Sequence, residues 1–332
     1  MFNQIDLDTY SYLVSDKIQE LILFPTEQCN FRCTYCYEDF KLKRMSPNIV
    51  QAIKNFLDNR APKLNHLTIN WFGGEPLLAK DIVKDISHYA TLLSKKYDDL
   101  SYIAGITTNG YLLSPSTFEE LVEEGVTQYQ ISLDGPQNIH NLTRIKANGE
   151  GTFERIWSNL LSIKNSNHKN IKIILRVHLT KDNLPYMSNF MLELKNHFVG
   201  DPRFNIFLKP VARLGGSNDS SLNLVDKNEE NSIIEQLKTL LYQNSPEKQS
   251  SPKINDFKPE DVCYASKPNS IAIRSDGSLA KCTVALNDER NIIGNIEPDG
   301  TLNINENRLA PWLRGLITLN SETLACPKHM LP

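Results

Sequence analysis

Three of the chain's six cysteines, Cys29, Cys33 and Cys36, fall within eight positions, in the stretch TEQCNFRCTYCYEDF. Thiols this close together can pack, pair as disulfides or bind metal. The neighbours Asn30, Arg32, Thr34, Glu38 and Asp39 make the stretch too polar for buried packing. A tetrahedral zinc site wants four ligands, commonly as paired Cys-x-x-Cys units, and only three are local here. A [4Fe–4S] cluster has four irons, so three thiolates would leave one iron open to a ligand that is not protein.

Such a loop needs a rigid support. From residue 20 to about 240, short β-branched apolar runs alternate with longer helical patterns, the mark of βα units around a parallel sheet. Strands are expected at Leu21–Phe24, Leu67–Phe72, Tyr102–Thr107, Tyr129–Leu133, Ile171–Leu179 and Asn205–Leu208. Helices are expected near Pro47–Asn59, Lys80–Lys96, Ser114–Glu123, Phe153–Lys164, Tyr186–Asn196 and Asn228–Leu241. Six units are two short of a closed eight-fold barrel, so the class is α/β, a partial (βα)6 TIM-like barrel over residues 1–241. The cysteines then follow the first strand, at the sheet edge where such folds place their active sites. Residues 242–260, rich in Ser, Pro, Lys and Asn, read as a linker. Beyond it, SIAIRSDGSLAKC alternates apolar residues around Ser275-Asp276-Gly277, a β-hairpin signal that opens a small α+β domain over residues 261–332.

The 332 residues carry a formal charge of −3 with Lys and Arg scattered, so there is no basic stripe for a nucleic acid. The N-terminus lacks a secretory pattern, and no run approaches the roughly 18 apolar residues that span a bilayer. No membrane is expected. A cytoplasmic protein keeps its thiols reduced, which favours metal binding over disulfides.

The spacing Cys-x3-Cys-x2-Cys, with Tyr35 before the last cysteine, resembles the signature of the radical SAM superfamily, and the other strand ends agree. After the second strand, WFGGEPLL resembles the Gly-Gly-Glu element, which implies that Gly73 and Gly74 approach S-adenosylmethionine and that Glu75 meets its amino group. TTNG, ending in Asn109 and Gly110, resembles the family's Thr-Asn-Gly turn. SLDG supplies Ser132 and Asp134, suited to a ribose. IHNLTR resembles the His-Asp-x-x-Arg element of peptide-modifying relatives, with Asn141 where aspartate is usual, so His140 and Arg144 have capping or salt-bridge roles as rivals. In ILRVHLTKDN, Arg176 is a charge within an apolar run, and the resemblance implies the carboxylate of S-adenosylmethionine as its partner. Asn183 matches an asparagine common in such families. Tyr35 is implied beside the adenine. No catalytic acid or base is identified.

Cys263 and Cys282, with the hairpin between them and IIGNI after them, resemble the opening of a SPASM or twitch domain. Cys326 begins CPKHMLP, similar to a later part of that domain with His329 in place of a cysteine. The resemblance implies one auxiliary iron–sulfur cluster on Cys263, Cys282 and Cys326, or a truncated domain that holds none.

The family implies a catalytic [4Fe–4S] cluster that cleaves S-adenosylmethionine to a 5′-deoxyadenosyl radical. It further implies a peptide or protein substrate modified by hydrogen abstraction, through a cross-link, epimerisation or oxidation. Its partners would be an electron donor such as flavodoxin or ferredoxin and a separate leader-peptide-binding protein. The rivals are a small-molecule substrate and a zinc-stabilised or degenerate protein that recruits a peptide without catalysis.

Overall fold

The computed structural model describes residues 7–243 and 262–331. Its elements, in chain order, are α1 (Leu7–Val14), β1 (Ile18–Leu23), α2 (Pro47–Arg60), β2 (His66–Trp71), α3 (Lys80–Lys96), β3 (Ser101–Thr108), α4 (Pro115–Glu123), β4 (Val126–Leu133), α5 (Gln137–Thr143) and α6 (Phe153–Lys164). They continue with β5 (Lys172–Leu179), α7 (Leu184–Phe198), β6 (Phe204–Pro210), α8 (Lys227–Tyr242), β7 (Ser270–Ile273), β8 (Ser278–Ala280), β9 (Ile292–Ile296), β10 (Leu302–Ile304), α9 (Glu306–Thr318) and α10 (Ser321–Ala325). This is an α/β fold with parallel strands at its core and an antiparallel C-terminal strand region. No helix among the described residues is long and apolar enough to cross a membrane. Tyr242, the first residue of the expected linker, ends α8, and the linker from residue 244 on lies outside the described residues.

Two compact units divide the described residues: 7–28, 40–105 and 262–331 in one, 29–39 and 106–243 in the other. Strands of the first stand in the order β10-β9-β8-β7-β1-β2-β3, although the last three residues of β3 belong to the second unit. β1 and β2 pair in parallel, Leu21 opposite Ile69. Helix α2 starts where Ser46 caps it, its hydroxyl accepting the Ile49 N–H with Pro47 in the first turn. Helix α3 buries Ile82, Ile86, Ala90 and Leu93 at the three- and four-residue spacing of one helical face.

The hairpin expected around Asp276 and Gly277 forms as β7 and β8, with Ala272 opposite Ala280. β7 also pairs in parallel with β1, Leu21 opposite Ile271, a non-local pairing that no local pattern announces. Arg274, just past β7, donates to both carboxylate oxygens of Glu27, from Nε at 3.0 Å and Nη2 at 2.6 Å. A third bond runs from Nη1 to the Leu286 carbonyl at 3.1 Å, and both side chains are buried. This fork holds the chain two residues before Cys29.

In the second unit, β4, β5 and β6 are parallel neighbours. On β5, Ile173, Leu175, Val177 and Leu179 are buried, and Lys172, Ile174, Arg176 and His178 between them are more exposed. Alternation puts the second set on one face. Register aligns Ser132 of β4, Arg176 of β5 and Phe207 of β6 across it.

Removing one side of a buried ion pair leaves an uncompensated charge and costs about 3–5 kcal/mol. Arg274→Met should therefore destabilise the protein by that amount in urea unfolding. Glu27→Leu in the same chain should recover most of the loss. A single variant as stable as the parent would show that the fork carries no stability.

Candidate active site

The loop Cys29–Asp39 is closed at its base within the first unit. Thr26 and Arg44 form an isolated antiparallel bridge, and the Gln28 amide donates to the carbonyls of Phe40 and Leu42. In the second unit the loop lies along the segment that follows α5. Arg32 N–H donates to the Ile145 carbonyl at 2.8 Å, Thr34 N–H to Thr143 at 3.0 Å, and Ala147 N–H to Asn30 at 2.9 Å. The Asn109 side-chain amide donates to Oδ1 of Asn30 at 2.8 Å, and that of Asn218 to the Thr34 carbonyl at 3.1 Å. Gly216 lies so near that a Cβ there would stand 2.5 Å from the Cys36 carbonyl oxygen.

Cys29, Cys33 and Cys36 are half-buried and are free thiols. Burial raises Cys33 and pushes Cys36 up to about 12, so metal binding here must release protons. Among the described residues, no three His, Cys, Asp or Glu side chains are gathered as the ligands of one ion would be.

Tyr35, between the last two cysteines, fastens the loop to the sheet. Its hydroxyl lies 2.8 Å from both carboxylate oxygens of Asp134, accepts Nη1 of Arg144 at 2.8 Å and stands 3.1 Å from Nδ1 of His178. Asp134 also accepts the Thr143 hydroxyl at 2.6 Å and has His178 Nδ1 at 3.1 Å, while Asn183 donates to its main-chain carbonyl at 2.9 Å. Only 1% of Asp134 is exposed, so its carboxylate is committed to protein donors. Burial alone would raise its pKa, but the His178 hydrogen bond and the Arg144 charge hold it far below the usual carboxylate range. His140, buried in the middle of α5, accepts Asp134 N–H at Nδ1 and contacts the Thr152 hydroxyl through Nε2.

The open face of β4 and β5 carries further polar groups. The Ser132 hydroxyl, in register with Arg176, makes no hydrogen bond among the described residues. Arg176 lies over the Phe207 ring at 5.9 Å, and its Nε is buried with no hydrogen-bond partner among the described residues. Burial lowers its pKa, against the pull of Tyr37 and Tyr35.

Gly73, Gly74 and Glu75 stand in the first unit. A Cβ on Gly73, at φ +115°, would lie 2.3 Å from the Thr26 carbonyl oxygen, and one on Gly74 would lie 2.5 Å from that of Gln28, so only glycine fits this close approach. Glu75 is fully buried, and its carboxylate accepts the Leu77 N–H at 3.0 Å. In the same unit, burial raises the Cys263 and Cys282 thiols, and neighbouring thiols add to the effect, Cys282 and Cys326 on Cys263 and Cys326 on Cys282. Cys263 N–H donates to the Leu324 carbonyl in α10, Cys326 follows α10, and Asn291 pins the backbone of Cys282.

Residues 23–191, just over half of the chain, match the Radical SAM superfamily. The chain belongs to that superfamily, whose cofactors are a [4Fe–4S] cluster and S-adenosylmethionine. An uncharacterized protein of Methanocaldococcus jannaschii is 28% identical over 195 residues, 59% of this chain and 64% of that one, short of two thirds of its length. The GTP 3',8-cyclase of Clostridium perfringens is 28% identical over 288 residues, 80% of each chain. A cysteine-type anaerobic sulfatase-maturating enzyme of Clostridium novyi is 30% identical over 151 residues, covering 42% of this chain and 38% of its own. Among solved structures, anSMEcpe with bound AdoMet and a peptide superposes on 89% of this chain and 84% of its own, with a TM-score of 0.65 at 20% identity. SuiB of Streptococcus suis bound to precursor peptide SuiA covers 98% and 72%, at a TM-score of 0.59 and 15% identity. At these identities the structures speak to fold.

The residues fit the cofactors. Three free thiols supply the donors an open-sited cluster takes, and the buried unpartnered Nε of Arg176 suits an anion. Sequence reasoning missed His178 and Thr143 around Asp134. The one available signal was His178's place two residues after Arg176 on an alternating strand.

Burial holds the His140 imidazole down to about 3, against the attraction of Asp134. An unfolded chain takes up that proton near pH 6.5. Between about pH 6.5 and 3 the unfolded state therefore binds more protons, and the stability contributed by neutral His140 is lost as pH falls. The loss approaches about 1.4 kcal/mol per pH unit. In urea unfolding, the stability gap between the parent and His140→Gln should narrow from pH 7 to 4.5. A gap independent of pH would contradict this.

Proposed function

We propose that this radical SAM enzyme removes a hydrogen atom from a residue of a ribosomally made peptide or protein, and so forms a cross-link, an epimerised centre or an oxidised residue. The observation that carries the reading is the likeness, over 89% and 98% of the chain, to two structures that hold peptides. A relative named as a sulfatase-maturating enzyme points the same way.

In this reading Cys29, Cys33 and Cys36 hold the catalytic cluster, and Cys263, Cys282 and Cys326 hold an auxiliary one. Residues 1–241 act as the barrel and 261–332 as a reduced auxiliary domain. When bound, cluster and S-adenosylmethionine supply a 5′-deoxyadenosyl radical. The chain's own residues bind and orient. Arg176 and Ser132 face the carboxylate end of the cofactor, Glu75 with Gly73 and Gly74 faces its amino group, and Tyr35 lies beside the adenine. Asn109 holds the cysteine loop through Asn30, and Asp134 holds it through Tyr35. Electrons come from a flavodoxin or ferredoxin, a separate protein captures the leader peptide, and the setting is the cytoplasm.

A small-molecule substrate is favoured by one observation, the 28% identity to a GTP 3',8-cyclase across 80% of both chains. The two readings separate by isotope transfer. The reconstituted protein, given S-adenosylmethionine and dithionite, is incubated with extracts of deuterated source cells split by ultrafiltration. Deuterium should enter 5′-deoxyadenosine from the macromolecular fraction and vanish after protease treatment. Transfer from the low-mass fraction alone would establish the small-molecule reading.

A further inference from the structure

Asp134 is where the sequence places a ribose ligand, yet both of its oxygens are occupied by Tyr35, Thr143 and His178. What reaches the open face of the sheet in its stead is His178. This residue follows Arg176 by two on β5, on the same face and about 6.6 Å further along the strand. Its Nδ1 faces Oδ1 of Asp134 at 3.1 Å, 12% of the side chain is exposed, and Nε2 makes no hydrogen bond among the described residues.

The tautomer follows from the donors. Asp134 is ionised and only accepts. The Tyr35 hydroxyl accepts from Arg144 and has a single proton, which goes to Asp134. Nδ1 of His178 must then carry a proton for Asp134, which leaves the lone pair on Nε2. Burial lowers the pKa of His178 despite the Asp134 hydrogen bond, and Arg176 and Arg144 lower it further, so the ring is neutral near pH 7. Nε2 is thus an acceptor, on the same strand face as Arg176, whose Nε is unpartnered and whose register partner on β4 is Ser132.

We propose that His178 is a cofactor-contacting residue whose Nε2 accepts a hydrogen bond from a ribose hydroxyl of S-adenosylmethionine, with Asp134 and Tyr35 as its positioning residues. This rests on the reading that Arg176 takes the cofactor's carboxylate. A ligand with an anion at one end and hydroxyl donors further along the same chain matches the sequence of Arg176 and then His178 along one strand. The cations Arg176 and Arg144 beside the ring disfavour the ammonium group as its donor. Thr143 and Tyr35 tie the cysteine loop and the histidine to one carboxylate, so the group that reads the ribose is fixed relative to the thiols.

The test is binding, by equilibrium dialysis of the anaerobically reconstituted full chain against S-adenosylmethionine and its 2′,3′-dideoxyribose analogue. The parent should prefer the natural cofactor by about tenfold or more, the scale of one lost hydrogen bond to a site built for it. His178→Phe should bind S-adenosylmethionine about tenfold more weakly and no longer discriminate between the two. His178→Gln, whose amide oxygen can accept, should keep most of the discrimination. A parent that binds both ligands equally overturns the proposal whatever the variants do. So does His178→Phe with the parent's affinity and discrimination. Arg176→Ala is the control for the underlying reading: if it leaves binding unchanged, that reading fails, whereas weakened binding there with an unaffected His178→Phe defeats the histidine proposal alone.

Discussion

A carboxylate shut away from water has to be met by donors on every side, and in this protein Asp134 is that carboxylate. Its donors come from three places that are distant in sequence: Tyr35 on the cysteine loop, Thr143 at the end of α5 and His178 on β5. Once each donor is required, the loop has one position on the sheet. Arg144 strengthens the arrangement by placing a cation against the Tyr35 hydroxyl, and His140 accepts the Asp134 N–H. The half-buried thiols of Cys33 and Cys36 stand in the chain on either side of the residue that is pinned.

Backbone contacts complete the support. The loop borrows strand-like hydrogen bonds from residues 143–147, and Asn109 and Asn218 donate to Asn30 and Thr34. In the other unit, close packing has the same role at Gly73 and Gly74, where a Cβ would collide with the carbonyls of Thr26 and Gln28, and the Arg274–Glu27 fork secures the strand end beside them. These are steric and electrostatic conditions on particular residues, and they explain why small or charged side chains recur at strand ends of an otherwise apolar sheet.

Much of this was legible in the sequence. Helices Lys80–Lys96 and Phe153–Lys164 have the expected bounds because their apolar periodicity is strong and their termini are polar. Strands β1 to β6 were found as apolar runs. Most fall short by one to three residues at an end, where exposed polar residues such as His66, Ser101 and Gln128 join the strand, whereas Phe24, Phe72 and Ile171, included in the expected runs, lie outside the strands. Helices α1, α5, α9 and α10 were not placed. α1, α5 and α10 have eight residues or fewer, too short to show a period, α5 is fixed by contacts such as Asp134 N–H to His140 that only the fold creates, and α9 carries Pro311 within it, which reads as a break. The pairing of β7 with β1 joins residues about 250 positions apart and leaves no local trace. At the site, motif spacing pointed to the residues, whereas their mutual contacts did not show: Asp134 reads as a ligand contact in one dimension and, in three, also as the anchor of Tyr35, Thr143 and His178.

The account's central claim is that the loop pinned by Asp134 carries the catalytic cluster on Cys29, Cys33 and Cys36. Its most direct test is to measure iron and 5′-deoxyadenosine formation side by side in the anaerobically reconstituted parent and in the chain with all three cysteines replaced by alanine. The account predicts that the variant loses about four irons per chain, one cluster's worth, and all reductive cleavage of S-adenosylmethionine. A variant that retains the parent's iron and still produces 5′-deoxyadenosine would contradict it.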